Sequence, residues 1–300
     1  MSETPSASFE IKSQGSRIEV VNGDCLEGMS ARLGAGSVDV VVTSPPYNLG
    51  TGYSRYDDTM ARDEYLSFMG QWGAVVREVL SDRGSLFLNI GGKPSQPWGP
   101  FEVLHTLRQH FELQNVVHWI KSIAIQKEDV GRYPGINANV SVGHYKPINS
   151  PRYINDCHEY IFHLTKQGNV ELDRLALGVE YQDKSNVSRW SGGGGEDLRC
   201  RGNTWFVPYR TIQSRAKQRP HPASFPVKIP KMCVQLHGTE RADLVVDPFL
   251  GIGNSAVACI QLRNIDFVGF ETDPDYCAQS RSAIEEAVGG ECSLFSATPL

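Results

Sequence analysis

Short β-branched or aliphatic runs alternate along this chain with longer stretches in which apolar residues recur at helical spacing. The strand-like runs are Ile18-Glu19-Val20-Val21, Val38-Asp39-Val40-Val41-Val42, Ser85-Leu86-Phe87-Leu88-Asn89-Ile90, Val116-Val117-His118-Trp119-Ile120, residues 158–164, Leu244-Val245-Val246 and residues 265–270. Helices are predicted around Leu26, Met29 and Leu33, over 63–80, near 101–110, through Met232, Val234 and Leu236 up to His237-Gly238, over 256–262 and over 274–288. Strands that are apolar throughout belong to a parallel sheet covered on both faces, and their alternation with helices predicts an α/β fold. Residues 1–16 and 289–300 lack periodicity and are expected to be mobile tails of one domain spanning 17–288. Gly131, Pro134, Gly135, Gly143, Pro147 and Pro151 break up residues 122–157, and 166–219 is similarly irregular; both stretches read as insertions.

Composition narrows the class without naming a chemistry. Three hundred residues, 40% of them hydrophobic, suffice for one large domain. No apolar run reaches the roughly eighteen residues of a membrane span and no leader is evident, so a cytoplasmic protein is expected. The seven cysteines form no CxxC pair, and the histidines form neither HxxxH nor HExxH, so no metal site is predicted. The net charge of −5 argues against a basic coat over the whole surface. Its distribution is uneven, however: residues 199–231 carry Arg199, Arg201, Arg210, Arg215, Lys217, Arg219, Lys228 and Lys231 with no Asp or Glu. Interleaved with Trp205, Phe206 and Tyr209, these cations suit phosphate contact and base stacking, although a solvated basic face would carry the same charges.

Two stretches carry chemistry. Thr43-Ser44-Pro45-Pro46-Tyr47 ends a buried strand in a stiff turn whose prolines offer carbonyl acceptors but no N–H, beside the Ser44 hydroxyl and the Tyr47 ring. Such a rim suits a planar base bearing an amino group; a strand-ending turn with a core tyrosine is the plainer alternative. The loop after it, with Gly50, Gly52, Tyr53 and the charged residues 55–58, reads as a solvated loop rather than a lid. The second stretch, Asp247-Pro248-Phe249-Leu250-Gly251-Ile252-Gly253-Asn254-Ser255, joins a strand to a helix with glycines that let a ligand approach the backbone. Glu271 follows at the end of the next strand, where an acid reaches ribose hydroxyls in dinucleotide-binding folds. Neither GxGxxG nor GK(S/T) is present, which favours adenosine without a polyphosphate. Asp24, at the end of an earlier strand, is suited equally to ligand binding and to capping a helix.

Together the two stretches resemble the amino-group DNA methyltransferases that use S-adenosylmethionine. That family has Ser, Asn or Asp before Pro-Pro-Tyr or Pro-Pro-Phe, and a cofactor motif of the form DPFxGxG. The order here, catalytic motif before recognition region before cofactor motif, resembles the family's β group, and the likeness covers residues 18–288. His221-Pro222-Ala223 with Phe225-Pro226 is similar to the helical motif before the cofactor loop, and Asn22-Gly23-Asp24-Cys25 to the adenine-contacting turn. The resemblance implies a mostly parallel, seven-stranded Rossmann-like sheet with circularly permuted motifs and an inserted target-recognition region.

It further implies that Ser44, Pro45, Pro46 and Tyr47 are catalytic. The acceptors draw the poorly nucleophilic amino nitrogen toward tetrahedral geometry while Tyr47 stacks on a base flipped from the duplex. Asp24, Cys25, Asp247, Phe249, Gly251, Gly253, Asn254, Ser255 and Glu271 would bind S-adenosylmethionine, with Glu271 on the ribose and Asp24 on the adenine amino group. Arg199, Arg201, Arg215 and Lys217 would contact double-stranded DNA. Ser44 in the first motif position favours cytosine N4 as the target, with adenine N6 as the alternative. Loss of activity with retention of DNA binding would require a broken motif, and both are intact. A protein-amide methyltransferase would carry Asn in place of Ser44 and the reverse motif order. A homodimer and a separately encoded restriction endonuclease are compatible partners that the sequence leaves open.

Overall fold

The computed structural model describes residues 8–13, 15–53, 56–143, 149–190, 197–208 and 224–295. Its strands are β1 (Phe9–Ser13), β2 (Ser16–Asn22), β3 (Val38–Thr43), β4 (Leu80–Ile90), β5 (Glu112–Ile120), β6 (Ile123–Ile125), β7 (Val140–Val142), β8 (His158–Thr165), β9 (Thr204–Phe206), β10 (Leu244–Asp247) and β11 (Asp266–Glu271). The helices are α1 (Cys25–Arg32), α2 (Arg62–Val79), α3 (Gly99–Leu107), α4 (Ser185–Trp190), α5 (Lys228–His237), α6 (Asn254–Leu262) and α7 (Pro274–Phe295). None is long and apolar enough to cross a membrane among the described residues.

Nine strands form one sheet in the order β1-β2-β11-β10-β3-β4-β8-β5-β9. From β2 to β4 all neighbours are parallel, and β8 runs antiparallel between β4 and β5. The late strands β10 and β11 therefore sit between the early strands β2 and β3, so the permuted order of the sequence becomes a permuted sheet. Period-two alternation sends Val40 and Val42 to one face and Val41 to the other. On the first face they meet Ile229 and Met232 of α5, Cys259 of α6 and Ile284 of α7; on the second, Val41 meets Met29 of α1, Trp72 of α2 and Leu107 of α3. The result is a three-layer α/β/α stack.

The sheet is wider than the seven strands expected, because each edge gains one. β1 lies in the stretch expected to be a mobile tail. It pairs antiparallel with β2, Phe9 opposite Val20, and buries Phe9. β9 lies inside the second irregular stretch and pairs with β5 through Trp119 opposite Trp205. Trp205 is 1% exposed, with Nε1 donating to the Gly202 carbonyl at 3.1 Å, so it is core and not a base-stacking platform. α7 continues past the predicted end at residue 288. One polar seam crosses the core: Ser85 Oγ of β4 lies 3.0 Å from His163 Nε2 of β8 and 2.9 Å from His237 Nδ1 of α5. Burial lowers both imidazoles, His163 to about 3 and His237 to about 4, so both are neutral in the fold.

Candidate functional site

The parallel strands β2, β3, β10 and β11 all end at one edge, where open α/β sheets bind ligands. Their loops enclose a cavity of about 280 Å³ lined by Asp24, Cys25, Ser44, Pro46, Phe249, Gly251, Asn254 and Glu271, together with Tyr53, Tyr56, Phe225, Thr272, Asp273 and Tyr276. Phe249 is held by Phe68 and Trp72 at ring separations of 6.3 and 5.9 Å. Gly251 adopts φ +56° and Gly253 φ +87°, and a Cβ on Gly253 would stand 2.9 Å from Ser280 Cβ, so this turn requires glycine.

Glu271 spans two of the turns at the strand ends. Its Oε2 accepts from Gly251 N at 2.9 Å and its Oε1 from Asp273 N at 2.8 Å, which leaves each oxygen a further lone pair, and the residue lines the cavity. Burial raises its pKa against those two amide bonds. Asp24 combines both roles considered for it. Its Oδ1 caps α1 by accepting from Leu26 N at 2.8 Å and Glu27 N at 3.2 Å, and the residue also lines the cavity. Cys25 is buried beside it, its thiol pushed up by burial and by the Asp24 charge.

Asp247 is turned away from this space. It is 1% exposed, accepts from Thr43 Oγ1 and Ser255 Oγ at 2.6 Å each and from Phe249 N at 3.1 Å, and burial raises it to about 6. It and Ser255 thus bolt the two motif loops together, and neither they nor Gly253 lines the cavity.

Ser44 and Pro46 reach the cavity from the other side, while Pro45 and Tyr47 are not among its lining residues. Tyr65 OH donates to the Pro46 carbonyl at 2.9 Å and so fixes the turn. Behind it lies a polar cluster. Ser44 Oγ is 2.7 Å from Tyr47 OH, and Tyr47 OH donates to Glu159 Oε2 at 3.0 Å. Asn89 Nδ2 lies 2.7 Å from Tyr47 OH, 2.8 Å from Glu159 Oε2 and 3.3 Å from Ser44 Oγ. Lys121 Nζ meets Glu159 Oε1 at 2.9 Å. Burial opposes the Glu159 charge, but Lys121 and the hydrogen bonds from Lys121, Asn89 and Tyr47 outweigh it and hold the carboxyl below its ordinary range.

The loop over the turn is not the solvated loop expected. Asp58, 1% exposed, accepts from Asn48 N at 2.8 Å, Leu49 N at 3.1 Å and Thr51 N at 2.9 Å, drawing the loop closed so that Tyr53 and Tyr56 face the cavity. The basic stretch is only partly described. Arg199 and Arg201 are exposed, Arg201 bonding the Leu177 carbonyl at 3.0 Å; Arg215, Lys217, Tyr209 and the His221-Pro222-Ala223 motif lie outside the described residues. Arg201 shares a surface cleft with Lys228 and Lys231, which brings together cations that are distant in sequence.

The sequence reading missed Asn89, Lys121 and Glu159. Its available signal was polarity out of place, an Asn in the buried run of β4 and a Glu in that of β8.

Comparisons with known proteins identify the family and the fold. The N6/N4 methyltransferase family, described as DNA methylase, matches residues 38–282. The chain is 23% identical over 261 residues to the type II methyltransferase M.HpaI of Haemophilus parainfluenzae, covering 86% of this chain and 71% of that protein. In fold it is similar to PvuII DNA methyltransferase (cytosine-N4-specific), with a TM-score of 0.61, 19% identity and coverage of 94% of this chain and 95% of that one. It is also similar to TTHA0409 from Thermus thermophilus, solved with S-adenosyl-L-methionine, with a TM-score of 0.55, 19% identity and coverage of 90% and 94%. With the Ser44-Pro45-Pro46-Tyr47 turn and the glycine-rich turn facing each other across one cavity, the family match over most of the sequence makes this chain a member of the N6/N4 DNA methylase family.

Proposed function

We propose that the chain transfers a methyl group from S-adenosylmethionine to the exocyclic N4 amino group of a cytosine flipped out of duplex DNA. The carrying observation is that Ser44 stands on the wall of the same cavity as Glu271, Asp24 and Phe249. The cavity fits an adenosine-bearing donor: it offers an aromatic face at Phe249, a carboxylate with spare lone pairs at Glu271 for ribose hydroxyls, and Asp24 for an amino group. When bound, S-adenosylmethionine supplies an electrophilic methyl group on a sulfonium. The protein's part is to position the acceptor. Ser44 Oγ and the Pro45 carbonyl accept from the amino hydrogens and so localise the nitrogen lone pair. Extruding the base costs roughly a few kcal/mol of unstacking and unpairing, which contacts in the pocket offset. No covalent intermediate is needed, so the cysteines have no nucleophilic part; Cys25, which lines the cavity, is buried and has its thiol pKa raised.

Ser44, rather than Asp, at the head of the motif supports cytosine, in keeping with the cytosine-N4 specificity that the PvuII enzyme carries in its name. Methylation of a mixed-sequence duplex followed by mass spectrometry of the released nucleosides tests this directly. N4-methylcytosine is expected, and N6-methyladenine would overturn the choice of base.

A further inference from the structure

Hydrogen bonds have direction, and a serine hydroxyl can point its own either way. Resting on the proposed role of Ser44, we infer that Glu159 is a positioning residue that orients the hydrogen bonds running through Tyr47 to Ser44, so that Ser44 meets its target as an acceptor. A carboxylate held ionised has no hydrogen to give. Tyr47 must therefore spend its single hydrogen on Glu159 Oε2, 3.0 Å away. Its oxygen is then free only to accept, so Ser44, 2.7 Å away, donates to it and turns its lone pairs outward.

Asn89 enforces the same direction. Its Nδ2 faces Glu159, Tyr47 and Ser44, while its buried Oδ1 has no partner among the described residues. Turned over, the amide would set oxygen against the carboxylate, so the Glu159 charge keeps its N–H side toward the turn. Lys121 maintains that charge from the far side, 2.9 Å from Oε1. Glu159 does not line the cavity and acts only through its neighbours. The consequence is chemical discrimination: Ser44 favours a ring substituent that donates, an amino group, over a ring carbonyl at the same place.

The test uses the full chain with mixed-sequence duplex DNA, measuring kcat, the DNA KM and cofactor affinity by calorimetry. Glu159→Gln keeps the shape but can donate to Tyr47 and reverse the direction. It should lower kcat on the order of 10²-fold, the cost of a misdirected polar group at a reacting centre, with DNA KM and cofactor affinity within about twofold. In a Tyr47→Phe background the same change should cost a clearly smaller factor, because the hydroxyl that transmits it is gone. Equal cost in both backgrounds, or a kcat near wild type, overturns the inference.

Lys121→Gln supplies a second route should Glu159→Gln fold poorly. The charged and titratable groups facing Glu159 are Lys121, Tyr47, Asp156 and His158. Without the lysine the carboxyl holds its proton to higher pH, so kcat should rise with pH where the wild type is flat. A flat profile overturns the inference. Absence of any N-methylated base from the wild-type chain would overturn the proposed function and this inference together. Methylated product with no effect of Glu159→Gln overturns the inference alone.

Discussion

Two carboxylates stand behind the two motif turns, and their surroundings displace their pKa values in opposite directions. Asp247 has only neutral donors around it, the hydroxyls of Thr43 and Ser255 and the amide of Phe249, and burial drives it up to about 6. Glu159 has a lysine at 2.9 Å and is held below its usual range. Burial penalises both; at Glu159 the Lys121 charge, with hydrogen bonds from Lys121, Asn89 and Tyr47, reverses the sign. An acid whose charge burial disfavours is held by neutral donors and pins two loops together, whereas an acid paired with a lysine keeps its charge to lower pH.

The largest effect should come from the end of the charged network. Ser44→Ala should slow transfer on the order of 10³-fold, as for loss of a positioned polar group at a reacting centre, while calorimetry finds cofactor affinity unchanged. Wild-type turnover would remove Ser44 from the chemistry and leave the two carboxylates equivalent as scaffold. Asp247→Ala should act on stability instead: it strands two buried hydroxyls and opens a void, for a loss of about 3 kcal/mol in denaturant unfolding. Asp247→Asn should stay within about 1 kcal/mol, because the hydroxyls can turn to suit an amide.

A third test reads the acid limb of stability. His163 and His237 have folded values of about 3 and about 4, so their contribution is full above the unfolded value near 6.5 and is lost as pH falls below it. The slope is about 1.4 kcal/mol per pH unit for each imidazole. Asp247 has the opposite sign. With a folded value near 6, it contributes fully below an unfolded value near 3.8, and that contribution fades as pH rises through about 6. Acidification from pH 6 to pH 4 therefore loses more through two histidines than it regains through one aspartate, and Asp247→Asn should steepen the limb. An unchanged limb would mean that burial does not raise the Asp247 carboxyl. The smallest effect concerns the exposed cations, where Arg201→Glu should lower the salt slope of DNA binding by about one unit. An unaltered slope would exclude that cleft from the DNA face.

Local pattern carried most of the fold. The apolar runs at Val38, Leu86 and Val245 are buried on both faces, so burial itself wrote the strands into the sequence. β1 and β9 were illegible because each owes its state to an edge partner remote from local periodicity: Phe9 to Val20, Trp205 to Trp119. Of the cavity lining, Ser44 and Phe249 could be singled out because their motifs are contiguous, and Glu271 because it ends the strand after the glycine-rich turn. Asn89, Lys121 and Glu159 could not, since β4, β5 and β8 become neighbours only once the sheet forms. Asp58 shows the reverse error, a charge read as solvated that folds inward to collect three backbone amides.

The permuted sheet also bears on how the molecule is made. β2 and β3 leave the ribosome early, but the two strands that belong between them arrive more than two hundred residues after β2. Until then each exposes an unpaired parallel edge, the kind that invites association with other chains. The strands that carry Asp247 and Glu271 are thus the keystone of synthesis as well as of the ligand cavity, and the early half must wait, edges open, for the residues that complete both.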